Sequence, residues 1–187
     1  MLSWIGLLAL LTLMSVTERV AIKPMGNLQH VVIAFGVLMN MAGSGVVVSF
    51  IVARETAPVR LASRYTWRLW PALKTGVVVA CILGICYGIA YVFDSRVSFA
   101  LWLVLFWLLM YSGAIGAAAG LRPSTAIGAS VKFAVSKWGI LVSPIPVFLV
   151  FPLVLAHAFT DVWATVMNVG HCLFIGMVAW DNFGLVE

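Results

Sequence analysis

The chain has 187 residues, of which 64% are hydrophobic and only 9% charged, and its mean hydropathy is +1.13. A soluble domain carries about 25% charged residues, so this chain cannot build a water-facing surface and its composition specifies an integral membrane protein. The formal charge of +5 comes from basic residues gathered between apolar runs, a membrane-topology signal, so nucleic acid is not an expected partner.

Residues 1–16 are apolar but lack the basic leader and small-residue cleavage site of a signal peptide, which predicts a retained first span over about 1–21. Glu18 and Arg19 are expected to snorkel from its end to the interface. A second span is predicted over 28–53, after a turn at 23–27. Gln29, Gly36, Asn40 and Ser44 share one helical stripe there, with Gly43 and Gly45 beside it and His30 near its start. Small residues let helices approach closely in lipid, and an amide such as Asn40 bonds across to a neighbour.

The connection that follows carries Arg54, Arg60, Arg64, Arg68 and Lys74 against the single acid Glu55. Residues 62–70 read as an interfacial helix, with Trp67 and Trp70 at headgroup depth. The third span, 72–93, contains a GxxxG of Gly84 and Gly88, and the fourth, 97–120, a second one of Gly116 and Gly120. All four glycines are expected in helix–helix contacts. Ser124 can cap another amphipathic interfacial helix over 124–138, whose apolar positions are Ile127, Val131, Val135 and Trp138. The fifth span, 139–159, holds Pro144, Pro146 and Pro152 and is expected to be bent or broken. The sixth, 161–181, places Asp161, Thr165, Asn168 and Cys172 on one stripe, with His171 on its shoulder.

The expected fold class is thus an all-α integral membrane protein: a bundle of six transmembrane helices with one or two interfacial amphipathic helices, forming one domain over 1–187. Of the 11 basic residues, eight lie in the connections after spans two and four. The opposite set holds three, Arg19, Lys23 and Arg96. That bias puts both termini in the cytoplasm, with a bacterial inner membrane as the expected location.

Asn40, Ser44, Thr165, Asn168 and His171 are the candidates for a ligand-binding or pore-lining seam between spans two and six, with Asn40 and Asn168 near mid-span and His171 reaching the same pocket. His30, His157, His171 and Cys172 are the metal or haem candidates. His157 and His171 are fourteen residues apart, a spacing that resembles the paired haem ligands of b-type cytochromes. Two bis-histidine haems need four histidines and the chain has 3, which leaves a single haem b held by His30 with His157 or His171. For copper, His171, Cys172 and the methionines Met39, Met41, Met167 and Met177 are soft ligands. Cys81 and Cys86 are five apart on different faces and suggest neither a disulfide nor a CxxC site. No Walker loop, HExxH or GxSxG occurs. With so few catalytic groups, the first expectation is a non-enzymatic membrane subunit of a larger complex or homo-oligomer, embedded in a lipid bilayer. A small transporter or channel comes second, and a haem- or copper-binding membrane protein third.

Overall fold

The computed structural model describes residues 4–22, 29–55, 61–93, 96–142 and 161–184. Among these residues every regular element is an α-helix: α1 (Trp4–Ile22), α2 (Gln29–Glu55), α3 (Leu61–Val92), α4 (Arg96–Leu109), α5 (Ser112–Ala119), α6 (Pro123–Ala134), α7 (Lys137–Val142) and α8 (Asp161–Phe183). Three stretches are long and apolar enough to cross a membrane: Val31–Val52, Leu69–Val92 and Ala100–Ala119. They correspond to the expected spans two, three and four.

The helix directions follow from which residues meet. Trp4 packs its ring 4.9 Å from that of Phe50, and Glu18 fits against Gly36, so α1 and α2 are antiparallel. On the other side of α2, Gly45 meets Ala72 and Gly76 meets Leu38, which makes α3 antiparallel to α2. Gly43 lies against Cys172, and Val47 lies against Gly176, so α2 and α8 run parallel. Trp102 ties α4 to α3 by donating its Nε1–H to the Leu83 carbonyl at 3.0 Å. Two groups of helices therefore share α2: α1 and α8 on one side, α3, α4 and α5 on the other.

The interior is built on small residues. Ser112 through Ala118 of α5 are all buried, and the sequence there is SGAIGAA. Met41 packs directly on Gly113, while Thr75 and Ala126 close on Gly116. Lipid offers no hydrophobic drive between helices, so this close backbone approach is what such a sequence contributes.

Four expectations are corrected. The fourth span is two helices that meet at Met110 and Tyr111. Ser112 Oγ donates to the Leu109 carbonyl at 2.6 Å, and a Ser–Gly pair is a known cause of such an interruption. Gly120 does not pack on another helix. It is exposed and ends α5 in the left-handed region at φ 64°, where glycine alone carries no steric penalty. Of its GxxxG partners in the prediction, Gly116 and Gly84 are buried and Gly88 is half-buried. Residues 62–70 are not a separate interfacial helix, because α3 runs unbroken from Leu61 through Pro71. One proline removes one backbone bond, and the neighbouring bonds hold the helix across it.

The fourth correction concerns 124–138. This stretch folds as α6 and the start of α7, and it turns back along α4 and α5. Ala126 meets Gly116, Ser130 Oγ donates to the Leu108 carbonyl at 2.7 Å, and the Phe133 ring lies 5.0 Å from that of Tyr111. The buried face is Ala126, Ser130, Phe133 and Ala134, whereas Val135 and Trp138 are exposed. A glycine–alanine surface on α5 admits the small side chains Ala126 and Ser130 at the centre of this contact, while Ile127 and Val131 of the expected face are half-buried at its edge. Ser136 then caps α7, accepting the Gly139 N–H at 3.0 Å and donating to the Phe133 carbonyl at 2.6 Å. A Cβ at Gly139 would run into that same carbonyl. The prolines of the expected fifth span, and His157, lie outside the described residues.

Candidate functional site: a polar seam where α1, α2 and α8 meet

Leu7, Leu11, Ser15 and Glu18 recur at four, four and three residues along α1 and form its one buried stripe. The remaining faces of α1 are exposed and apolar, with Ile5, Leu13 and Val20 at more than 60%. Glu18, at 9% exposure, therefore points into the bundle and does not snorkel. Gly36 makes this geometrically feasible: a Cβ there would lie 3.1 Å from Glu18 Oε1, so the carboxylate occupies the notch that the missing side chain leaves. Asn168 makes it electrostatically feasible. Its Nδ2 donates to Glu18 Oε2 at 2.9 Å and to Ser15 Oγ at 3.2 Å.

Neither Ser15 nor Glu18 was expected at the site. The signal was present in the sequence, because both extend the Leu7–Leu11 stripe and no other acid falls within α1.

The second and last expected spans are neighbours, but Asn40 and Asn168 do not bond to each other. Asn40 Nδ2 donates to the Gly36 carbonyl of its own helix at 3.0 Å, and Asn168 turns to α1. Cys172 joins them: its thiol lies 3.6 Å from the Asn40 carbonyl and 3.7 Å from Asn40 Oδ1. Ser44 is buried one turn along, bonded to the Met41 carbonyl at 3.0 Å and packed near Gly176. Thr165 is half-buried on the turn before Asn168. His171 does not reach this pocket. It is buried on the side of α8 that faces α4, its ring stacked 6.3 Å from that of Phe106. Adjacent residues on a helix point about 100° apart, which separates His171 from Cys172.

A small cavity sits at the junction, lined among others by Met14, Ser15, Glu18, Met39, Asn168 and Cys172. Its volume of about 10 Å³ admits one water-sized occupant. Asn168 Oδ1 is buried here with no hydrogen-bond partner among the described residues. Gly36 and Asn168 each lie seven residues inside the start of their helices, about 10 Å at 1.5 Å per residue. The carboxylate is thus well inside the bundle yet close to one end of it. Such a site can hold a proton or one small cation.

The haem and metal candidates are not brought together. His157 and the side chain of His30 lie outside the described residues, and among the described residues no three of His, Cys, Asp and Glu converge. All three cysteines are free thiols, with Cys81 exposed, Cys86 half-buried and Cys172 buried. No protein family model, curated protein or solved structure matches the chain.

Proposed function

We propose that the chain is a multi-pass membrane transporter for a small cation or proton, with the α1–α2–α8 seam as the point where the transported species is held. One observation carries this reading: Glu18 is buried in an apolar bundle, hydrogen-bonded by Asn168 at 2.9 Å, beside a cavity of single-water size. Ionisable side chains inside a membrane bundle are costly and mark ion pathways or proton relays. In this reading the chain crosses a bacterial inner membrane six times, the fifth crossing lying over 139–159, and both termini are cytoplasmic. The eight-to-three distribution of its 11 basic residues supports that orientation.

The test is flux. Purified protein in vesicles of mixed zwitterionic and anionic lipid is expected to pass protons, alkali ions or Ag(I) faster than protein-free vesicles, and Glu18→Gln to abolish the difference. Equal leak from both vesicle types for every ion refutes transport.

A membrane subunit of a larger complex, or of a homo-oligomer, is the second reading. The exposed row Ile82, Ile85 and Ile89 on α3 favours it, because such a face suits a partner helix as well as lipid. Mild detergent extraction at native abundance distinguishes the two, since a subunit comes out with its partners.

A further inference from the structure

Three helices meet at Glu18, and each contributes a sulfur-bearing residue to the lining of the cavity there. Leu11 lies against Gly43 and Glu18 against Gly36, which sets Met14 of α1 level with Met39 of α2. Ser15 is held by Asn168, and Leu11 packs in one cluster with Cys172, so Met14 also falls between those two positions of α8. Met14, Met39 and Cys172 all line the same cavity, whose volume of about 10 Å³ suits a single ion stripped of its water.

The donor set decides which ion. Thioether and thiolate ligands select soft metals, Cu(I) above all. A hard cation such as Mg²⁺ or Ca²⁺ needs six or more oxygens. Here Asn168 turns its Nδ2, a donor, toward Ser15 and Glu18, which opposes a hard cation. The thiol itself is weakly held, with sulfur–oxygen distances of 3.6 and 3.7 Å to Asn40, so little bonding is lost when its proton leaves.

We propose that this pocket binds one Cu(I) through the thiolate of Cys172 and the thioethers of Met14 and Met39, with the Glu18 carboxylate accepting the thiol proton. The S–H bond breaks, a Cu–S bond forms, and the proton passes to Glu18; copper remains Cu(I), so no oxidant or reductant is consumed. The step starts with one cation and one carboxylate and ends with a neutral copper thiolate and a neutral carboxylic acid. Neutralising both charges is the favourable direction where ions are poorly solvated. The proposal rests on the reading of the seam as a binding point and names what binds there; it does not require movement across the membrane.

The experiment uses the full chain in detergent, under anaerobic reducing conditions, with Cys81→Ala and Cys86→Ala so that Cys172 is the only thiol. Copper is offered as its bicinchoninate complex. One Cu(I) per chain is expected to transfer to the protein. Cys172→Ser abolishes the transfer, Met14→Leu, Met39→Leu and Glu18→Gln each weaken it about tenfold or more, and Met177→Leu at an exposed site leaves it unchanged. Leucine is close to methionine in volume, so Met39→Leu remains informative if Cys172→Ser fails to fold. As a second readout, Ag(I) raises the Tm of the parent and not of Cys172→Ser. Absence of transfer overturns the proposal, and so does transfer that Met14→Leu and Met39→Leu leave intact. Copper binding without flux keeps the site and refutes transport. Flux of another ion without copper binding keeps transport and refutes the site.

Discussion

Replacing Asn168 by leucine separates two accounts of the seam, because they predict different losses of stability. The substitution removes the donor that serves Glu18 at 2.9 Å and Ser15 at 3.2 Å, while leaving an apolar side chain of similar length. If both are ordinary interhelical bonds in a membrane, each is worth about 0.6 kcal/mol and the loss is about 1 kcal/mol. If Glu18 is ionised where it sits, the bond to it is worth about 1.5–3 kcal/mol, and the total rises to about 2–4 kcal/mol. The assay is reversible unfolding in mixed micelles at increasing denaturing-detergent fraction, with Met177→Leu as the reference because Met177 is exposed on the same helix. Glu18→Gln made on the Asn168→Leu background identifies the source: if the carboxylate is the cause, the double variant regains most of the lost stability. Equal stability of Asn168→Leu and Met177→Leu would refute the claim that the seam holds the helices together. A large loss unaltered by Glu18→Gln would refute the role assigned to the carboxylate.

Other substitutions test the packing. Gly176→Leu should destabilise by about 1–3 kcal/mol, since even a Cβ there would lie 2.7 Å from Val47 and 3.0 Å from the Ser44 carbonyl; an unchanged Tm would mean that α2 and α8 are not in close contact. Gly120→Ala and Gly128→Ala should move stability in opposite directions although a Cβ meets nothing within 4 Å at either. The first forces alanine into the left-handed region and costs about 1 kcal/mol, while the second removes a glycine from the interior of α6 and gains about 1 kcal/mol. Melting curves with the same sign for both would show that α5 does not end where the structure ends it.

The all-helical class was legible from composition, and the apolar runs of the second, third and fourth expected spans do form helical stretches long and apolar enough to cross a membrane. What was not legible depends on the neighbour. Val135 and Trp138 recur at helical spacing, yet α6 buries Ala126 and Ser130 because the surface facing it is the glycine–alanine stretch of α5. Amphipathicity ranks faces by hydrophobicity, and in lipid the tighter fit wins because an exposed apolar side chain costs little there. His171 and Cys172 were grouped by adjacency, and the helix turns them apart.

Glu18 shows the same dependence most clearly. A carboxylate four residues before the end of α1 has two outlets, toward the headgroups or into the bundle, and its own helix does not choose between them. The choice is made 18 residues later by Gly36, which leaves the space, and 150 residues later by Asn168, which supplies the donor. Neither is informative alone, since a glycine in a membrane helix ordinarily marks close packing and an asparagine finds a carbonyl. Together they convert a charge at a helix end into the centre of a three-helix junction. The candidate site is thus a property of pairs of residues distant in the chain. Substituting Gly36 by leucine should therefore expel the carboxylate and leave Asn168 with Ser15 as its remaining acceptor, though neither Glu18 nor Asn168 has been altered.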